Sequence, residues 1–245
     1  MNSGNKSQFL YGFAALGLSI ALGLFSVSGA LKDIRRGNEE VTVTGSAKRA
    51  IRSDFVVWRV SVGVQSSSLA SASDELTRGT ARVRAFFKAE GVADSLITVK
   101  PTEAVGISET LADGRETGRI IATRLTQAFE VRSHDVDGLT RVSQKASSLI
   151  ADGVPLQASV PEYLYTKLAE IRIILLAEAT KDAKLRAEAI AKSTGVQVGA
   201  VRDARMGVFQ ITPRYSTEVS DYGISDVTAI EKDVTAVVRA TFQLK

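Results

Sequence analysis

The chain has 245 residues, 44% of them hydrophobic and 24% charged, which is enough apolar material for a full core without disulfide or metal staples. It contains no cysteine and one histidine, so disulfides and cysteine nucleophiles are excluded, and a Ser/His/Asp triad or a histidine zinc site has only His134 to draw on. The net charge of +4 is spread along the chain and only 6% of residues are aromatic, so no nucleic-acid interface is expected.

The run 9–31, from Phe9 to Leu31, carries no charge. As a helix rising ~1.5 Å per residue it spans roughly 34 Å, against a bilayer core of about 30 Å. A single membrane anchor is expected there, followed by a linker over 32–38. Cleavable signal peptides have apolar cores of about seven to fifteen residues, shorter than this run, although Ser28 and Ala30 resemble a cleavage site. Lys32, Arg35 and Arg36 follow the run and Lys6 precedes it, a balance that by the positive-inside rule leaves the following domain in the cytoplasm. Gly17 with Ala21 and Ser19 with Gly23 have the spacing of close-packing membrane helices, which ordinary anchor composition also supplies.

Beyond the linker, Val56, Trp58, Val60, Val62 and Val64 alternate with a mixed set, predicting a strand over 54–65 with one buried face. The same period returns from Ile121 to Val131 and from Val234 to Leu244. Leu69, Ala72, Leu76, Val83 and Phe86 fall at helical spacing, with Gly79 where another apolar residue is expected. Val136, Leu139, Val142, Ala146 and Leu149 predict a second helix capped by Asp135. The third runs over 168–194, with Leu176, Ala183, Ala187 and Ile190 on one face and alanines that let it lie close on a sheet. Each helix ends in glycine then valine, at Gly91-Val92, Gly153-Val154 and Gly195-Val196, the pattern of a left-handed C′ residue. Asp113-Gly114 predicts a hairpin between the runs 96–107 and 119–131.

These elements read as ββαββαβαββ, an α+β domain over 39–245 with three helices packed on a largely antiparallel sheet, behind an anchor and linker over 1–38. The stretch 210–229, from Gln210 to Ala229, has no clear period and carries Pro213, Tyr215, Tyr222 and Gly223. Loops of that length either contact partners or simply connect.

Candidate chemistry is sparse. His134 lies at a strand-to-helix junction, where a solvated imidazole or a pH switch are the two readings. Glu103, Glu109 and Asp113 could form a carboxylate group, but alternation puts Glu103 and Glu109 on one exposed face, where acids also discourage stray strand pairing. Phosphate-loop patterns are absent, and Gly45 reads as a turn glycine. No catalytic, cofactor-binding or metal-binding residue is assigned.

Val41-Thr42-Val43-Thr44-Gly45-Ser46-Ala47, then Ser53-Asp54 and the strand with Trp58, resembles the opening of SIMPL-domain proteins. The helix through Asp182-Ala183, Ala187 and Ala191 to Gly195, then Val198-Gly199-Ala200-Val201, resembles their closing half. Many members have proline where this chain has Ser53. The resemblance implies a non-enzymatic periplasmic or membrane-associated envelope protein without cofactor, some of whose relatives form large oligomers and some of which are linked to envelope stress. It sets a periplasmic domain against the cytoplasmic one of the charge rule. A self-assembling protein anchored through 9–31 is the leading expectation. A ligand-binding or chaperone-like module using 210–229 to hold a client is the alternative.

Overall fold

The computed structural model describes residues 39–245, so the anchor and linker readings lie outside the described residues. Among the described residues no helix is long and apolar enough to cross a membrane. The strands are β1 (Glu40–Arg52), β2 (Phe55–Ser66), β3 (Ile97–Val99), β4 (Glu103–Thr110), β5 (Glu116–Ser133), β6 (Leu156–Ala158), β7 (Glu162–Leu164), β8 (Val198–Met206), β9 (Gln210–Pro213), β10 (Ile224–Ser225) and β11 (Glu231–Leu244). The helices are α1 (Leu69–Ala89), α2 (Val136–Lys145), α3 (Ser147–Ala151) and α4 (Leu168–Thr194). The class is α+β, with two mostly antiparallel sheets. The second expected helix is present in two pieces, α2 and α3.

The chain divides into two compact units. The larger comprises Arg49–Ile171 and Gln210–Val234. At its centre β2 pairs antiparallel with β5, from Val56 opposite Ser133 to Ser66 opposite Thr123, while β6 and β7 take its other edge. Val56, Trp58, Val60, Val62 and Val64 form the apolar face that alternation predicted, packed with Ala72, Leu76, Val83 and Phe87 of α1. The expected stripe differs only at its ends: Phe87, four residues after Val83, takes the buried place and Phe86 only half of one, and Leu69 at the first turn is exposed. Trp58 and Phe129 meet the Phe87 ring edge-on, and the indole Nε1 donates to the Ser159 carbonyl at 3.0 Å. At Gly79 α1 lies close on β2, since a Cβ there would lie 2.8 Å from Val62 Cγ1.

The smaller unit holds the described chain to Lys48, Arg172–Phe209 and Thr235–Lys245. Here β11 pairs antiparallel with β8, from Val238 opposite Met206 to Leu244 opposite Val198. Leu175, Ala179, Ala183, Ala187 and Ala191 make the buried stripe of α4, and Leu176 and Ile190 stand outside it. Gly45 is not a turn residue. It lies within β1, buried, where a Cβ would sit 2.2 Å from the Ala179 carbonyl oxygen and 2.3 Å from the Ala183 amide nitrogen. Small residues on both sides bring helix backbone and strand backbone together, and the Ser46 amide beside it donates to Asp182 at 2.8 Å.

Glycine ends the helices as the sequence reading holds. Gly91, Gly153 and Gly195 have positive φ, and the amides of Val92, Val154 and Val196 donate back to Phe87, Leu149 and Ala191. Asp135 caps α2 through the Gly138 amide at 2.8 Å.

The two close glycines rank differently on substitution. Gly45→Ala meets main-chain atoms that cannot turn aside, whereas Gly79→Ala meets a valine methyl and gains about 1 kcal/mol of helix propensity. Overpacking costs about 1–3 kcal/mol, so Gly45→Ala is expected to lose about 3 kcal/mol and Gly79→Ala about 1 kcal/mol. Urea unfolding of the two variants checks this; equal losses would remove the backbone-approach account of Gly45.

Candidate functional site

Two features of the larger unit expose apolar side chains on well-defined scaffolds. The first is the hairpin of β4 and β5. Leu111 and Arg115 close it through an N–H···O bond of 2.8 Å around Gly114 at φ 86°, and the Asp113 carboxylate braces the Arg115 amide and guanidinium. Strand β5 outruns β2: residues 116–122 have β4 as their strand partner and, among the described residues, no strand on their other edge. Strand β4 likewise pairs with β5 alone among the described residues. The result is a two-stranded arm on which Val105, Leu111, Ile120 and Ile121 are each about half exposed. Gly106 lets Ile120 fold across it, since a Cβ there would be 3.0 Å from Ile120 Cδ1. Register shifts around Ser108 twist the outer half.

The second is the stretch 210–229. It is neither a bare connection nor unstructured, for it opens on β9, which pairs in parallel with β10. Its foot rests on buried polar groups. Lys232 is 2% exposed, and its Nζ donates to the Tyr163 carbonyl at 2.6 Å and to the Asp226 carbonyl, with Asp226 Oδ2 at 3.7 Å. Asp226 accepts from the Thr228 hydroxyl at 2.7 Å and from the Thr228 and Ala229 amides. The Gln210 side-chain amide donates to the Ser220 carbonyl at 2.6 Å, and buried Asp233 accepts from the Tyr215 amide at 3.2 Å. Tyr215 holds φ 66°, an uncommon value for a tyrosine, and Arg214 lies over its ring at 5.3 Å. Tyr215, Val219 and Tyr222 project into solvent above this foot, Tyr222 at 96% exposure.

Beneath the loop a cavity of about 260 Å³ is lined by apolar side chains that include Phe55, Leu168, Ile211 and Val227, with Lys232 at its wall. Burial pushes the Lys232 amine down, against the neighbouring Asp226 charge. Burial pushes Asp226 up, but hydrogen bonds from Thr228 and Ala229 and the Lys232 charge outweigh it and leave the carboxyl below the ordinary range.

The sequence from residue 41 to residue 242 matches the model of the SIMPL family, a protein of unknown function (DUF541). The chain belongs to the SIMPL family. No curated protein matches it. Membership spans both compact units and nearly all of the described residues, and it assigns no reaction, substrate or partner.

In this SIMPL chain the singled-out polar residues stand apart. His134 is exposed, with Nδ1 2.9 Å from the Asp54 carbonyl and its ring edge-on to Phe55. Glu109 takes the Thr117 hydroxyl at 3.1 Å, Asp113 is held by Arg115, and Glu103 sits at the exposed start of β4. No cluster of three metal-ligating side chains occurs among the described residues. The one buried carboxylate on β5, Glu130, faces Arg59 across the β2 pair at 3.0 Å, and its other oxygen lies against Arg132 as an ion pair without hydrogen-bond geometry. The Arg59 hydrogen bond, with Arg132 and Lys100 nearby, holds it below the ordinary range despite burial, so it remains ionised at neutral pH and serves as a cross-strand brace.

Lys232, Asp226, Asp233 and Gln210 were not singled out from sequence. Lys232 left a signal: counting back by two from Val234 along β11 puts it on the buried face.

The buried pair makes stability depend on pH at both ends. Asp226, with its folded pKa below the unfolded value, stabilises fully above the ordinary carboxylate range and loses this as pH falls below about 4. Lys232 has a folded pKa below its unfolded value, so its burial penalty is present at neutral pH and fades as pH rises towards about 10.4. Urea midpoints are expected to fall on acidification less steeply in Asp226→Asn than in the parent, and to rise on alkalinisation in the parent but not in Lys232→Met. Identical profiles in all three chains would show that the pair does not titrate with folding.

Proposed function

We propose that this chain is a non-enzymatic envelope protein, held at a membrane by residues 9–31, whose copies assemble through the β4–β5 arm. Family membership supports the envelope placement. The observation that carries the assembly is the arm, a ribbon whose two outer edges pair with no strand among the described residues and whose four large apolar side chains are about half exposed. An isolated two-stranded hairpin is marginal in water and gains from a covering surface. A second copy fits the charges: Glu103 and Glu109 on β4 and Glu116 on β5 stand beside Arg119 and Arg124, and Arg119, 3.9 Å from Glu109 within its own arm and largely exposed, can exchange that partner for an acid of another arm.

Magnitudes explain why an anchor belongs in this reading. Completing the burial of four half-exposed side chains yields about 1 kcal/mol each, near ~4 kcal/mol per arm, whereas association costs about 4–15 kcal/mol in lost freedom. Free in solution the contact is weak. Confinement to a membrane raises the effective concentration and shifts the balance towards assembly.

The absence of cysteine makes a clean test possible. Full-length chain carrying Ser108→Cys, oxidised in native membranes, is expected to give disulfide-linked dimers. Adding Ile120→Ser and Ile121→Ser should remove most of them, and a chain starting at Asn38 should run as a monomer in light scattering at micromolar concentration. If the membrane-bound chain gives no cross-link and stays monomeric at every concentration in mild detergent, self-assembly through the arm is abandoned.

A further inference from the structure

The apex of the 210–229 loop spends more buried polar structure than a connection needs. Four polar side chains beneath or beside it are buried, Gln210, Thr212, Lys232 and Asp233, and three of them bond to loop backbone. Burying a charged group carries an effective penalty of several kcal/mol even when it is partnered. The apex itself is stitched locally: the Ser216 hydroxyl accepts from the Glu218 amide, the Ser220 hydroxyl from the Tyr222 amide, and Gly223 at φ 84° turns the chain back into β10. What this framework holds out is a set of side chains that water does not favour, Tyr215, Val219 and Tyr222.

The residues from Tyr215 to Gly223, YSTEVSDYG, have the make-up of an antibody-like contact loop, in which tyrosines give large contact area at small entropy cost and serines adapt their hydrogen bonds. Glu218 and Asp221, both exposed, give this apex an acidic excess on a chain whose net charge is +4. That sign repels anionic lipid and nucleic acid and favours a cation. We propose that the apex is a preformed recognition surface for an arginine- or lysine-bearing segment of a partner protein. Tyr222, and the face of Tyr215 that Arg214 leaves free, supply the surfaces on which guanidinium or alkyl stems lie, and Glu218 and Asp221 supply the counter-charge. Holding the loop in advance spares the ordering cost at the moment of binding.

The inference is independent of self-assembly through the arm, and its test does not depend on oligomer mass. Full-length protein in mild detergent is titrated into two fluorescent decapeptides, one alternating arginine with serine and one alternating glutamate with serine, and anisotropy is read. The arginine peptide is expected to bind and the glutamate peptide not, with affinity falling as salt is raised from about 50 to about 200 mM. Tyr215→Ser with Tyr222→Ser, and separately Glu218→Lys with Asp221→Lys, are each expected to weaken binding about tenfold. Lys232→Met, which keeps the apex residues but removes the tether, is expected to lower the thermal midpoint and to weaken binding even at a temperature where circular dichroism shows the chain still folded. Equal binding of both peptides, no binding of either, or arginine-peptide binding untouched by both double variants overturns the proposal.

Discussion

Strand β5 is longer than the neighbour it pairs with, and the architecture of the larger unit follows from that mismatch. Over residues 123–133 it has β2 beside it, and there its side chains divide cleanly into a core face and a face bearing Glu130. Beyond Thr123 the supporting strand stops while β5 and β4 continue. Side chains that would be half-buried within the sheet, Ile120 and Ile121 among them, stand in water instead. The arm is limited as an edge by its own irregularity, since the register shifts near Ser108 and the glycine at 118 twist its outer half away from simple strand addition. Its apolar faces, more than its edges, are what another surface can cover.

The foot of the 210–229 loop obeys a different economy. An apolar replacement of Lys232 would avoid its desolvation, yet the ammonium reaches two main-chain carbonyls on separate segments, Tyr163 within β7 and Asp226 after β10. No aliphatic side chain can satisfy both, and an unpaired carbonyl in that setting costs about 1–3 kcal/mol each. The lysine therefore fixes position as much as it contributes stability. Asp233, next along β11, does the same for Tyr215 by accepting from an amide that its left-handed backbone turns towards the strand.

Much of this was legible along the chain, and the rest was hidden for physical reasons. The glycine-valine endings, the Asp135 cap and the Asp113-Gly114 turn are short-range features, and each forms as the sequence reading holds, because all the atoms that decide them lie within about five residues. The arm was half legible: the hairpin could be read, but not that it leaves the sheet, since alternation in β5 carries no mark of where β2 stops. Gly45 was misread because glycine serves turns and close approaches alike. What distinguishes them is the alanine stripe of α4, far away in sequence, whose register with the strand appears only after folding. β9 and β10, four and two residues long, are too short to show a period, so their loop looked featureless. Lys232 has the parity of a core residue and the chemistry of a surface one, so alternation and residue type give opposite answers there.

That conflict is the most informative kind of position in the chain. A charged side chain at a buried parity is unstable unless the fold gives it partners, so its presence marks a place where the structure is holding something other than the core. Glu130 is the control case. It too is buried, but its partners are side chains of the same sheet, Arg59 and Arg132, and it braces strands already paired. Lys232 and Asp233 reach main-chain atoms of a loop that has little apolar area to bury, and without them nothing in its sequence would keep Tyr215 in a left-handed conformation beneath an arginine. One buried charge partnered within the sheet braces strands; two partnered to a loop define the shape of a surface.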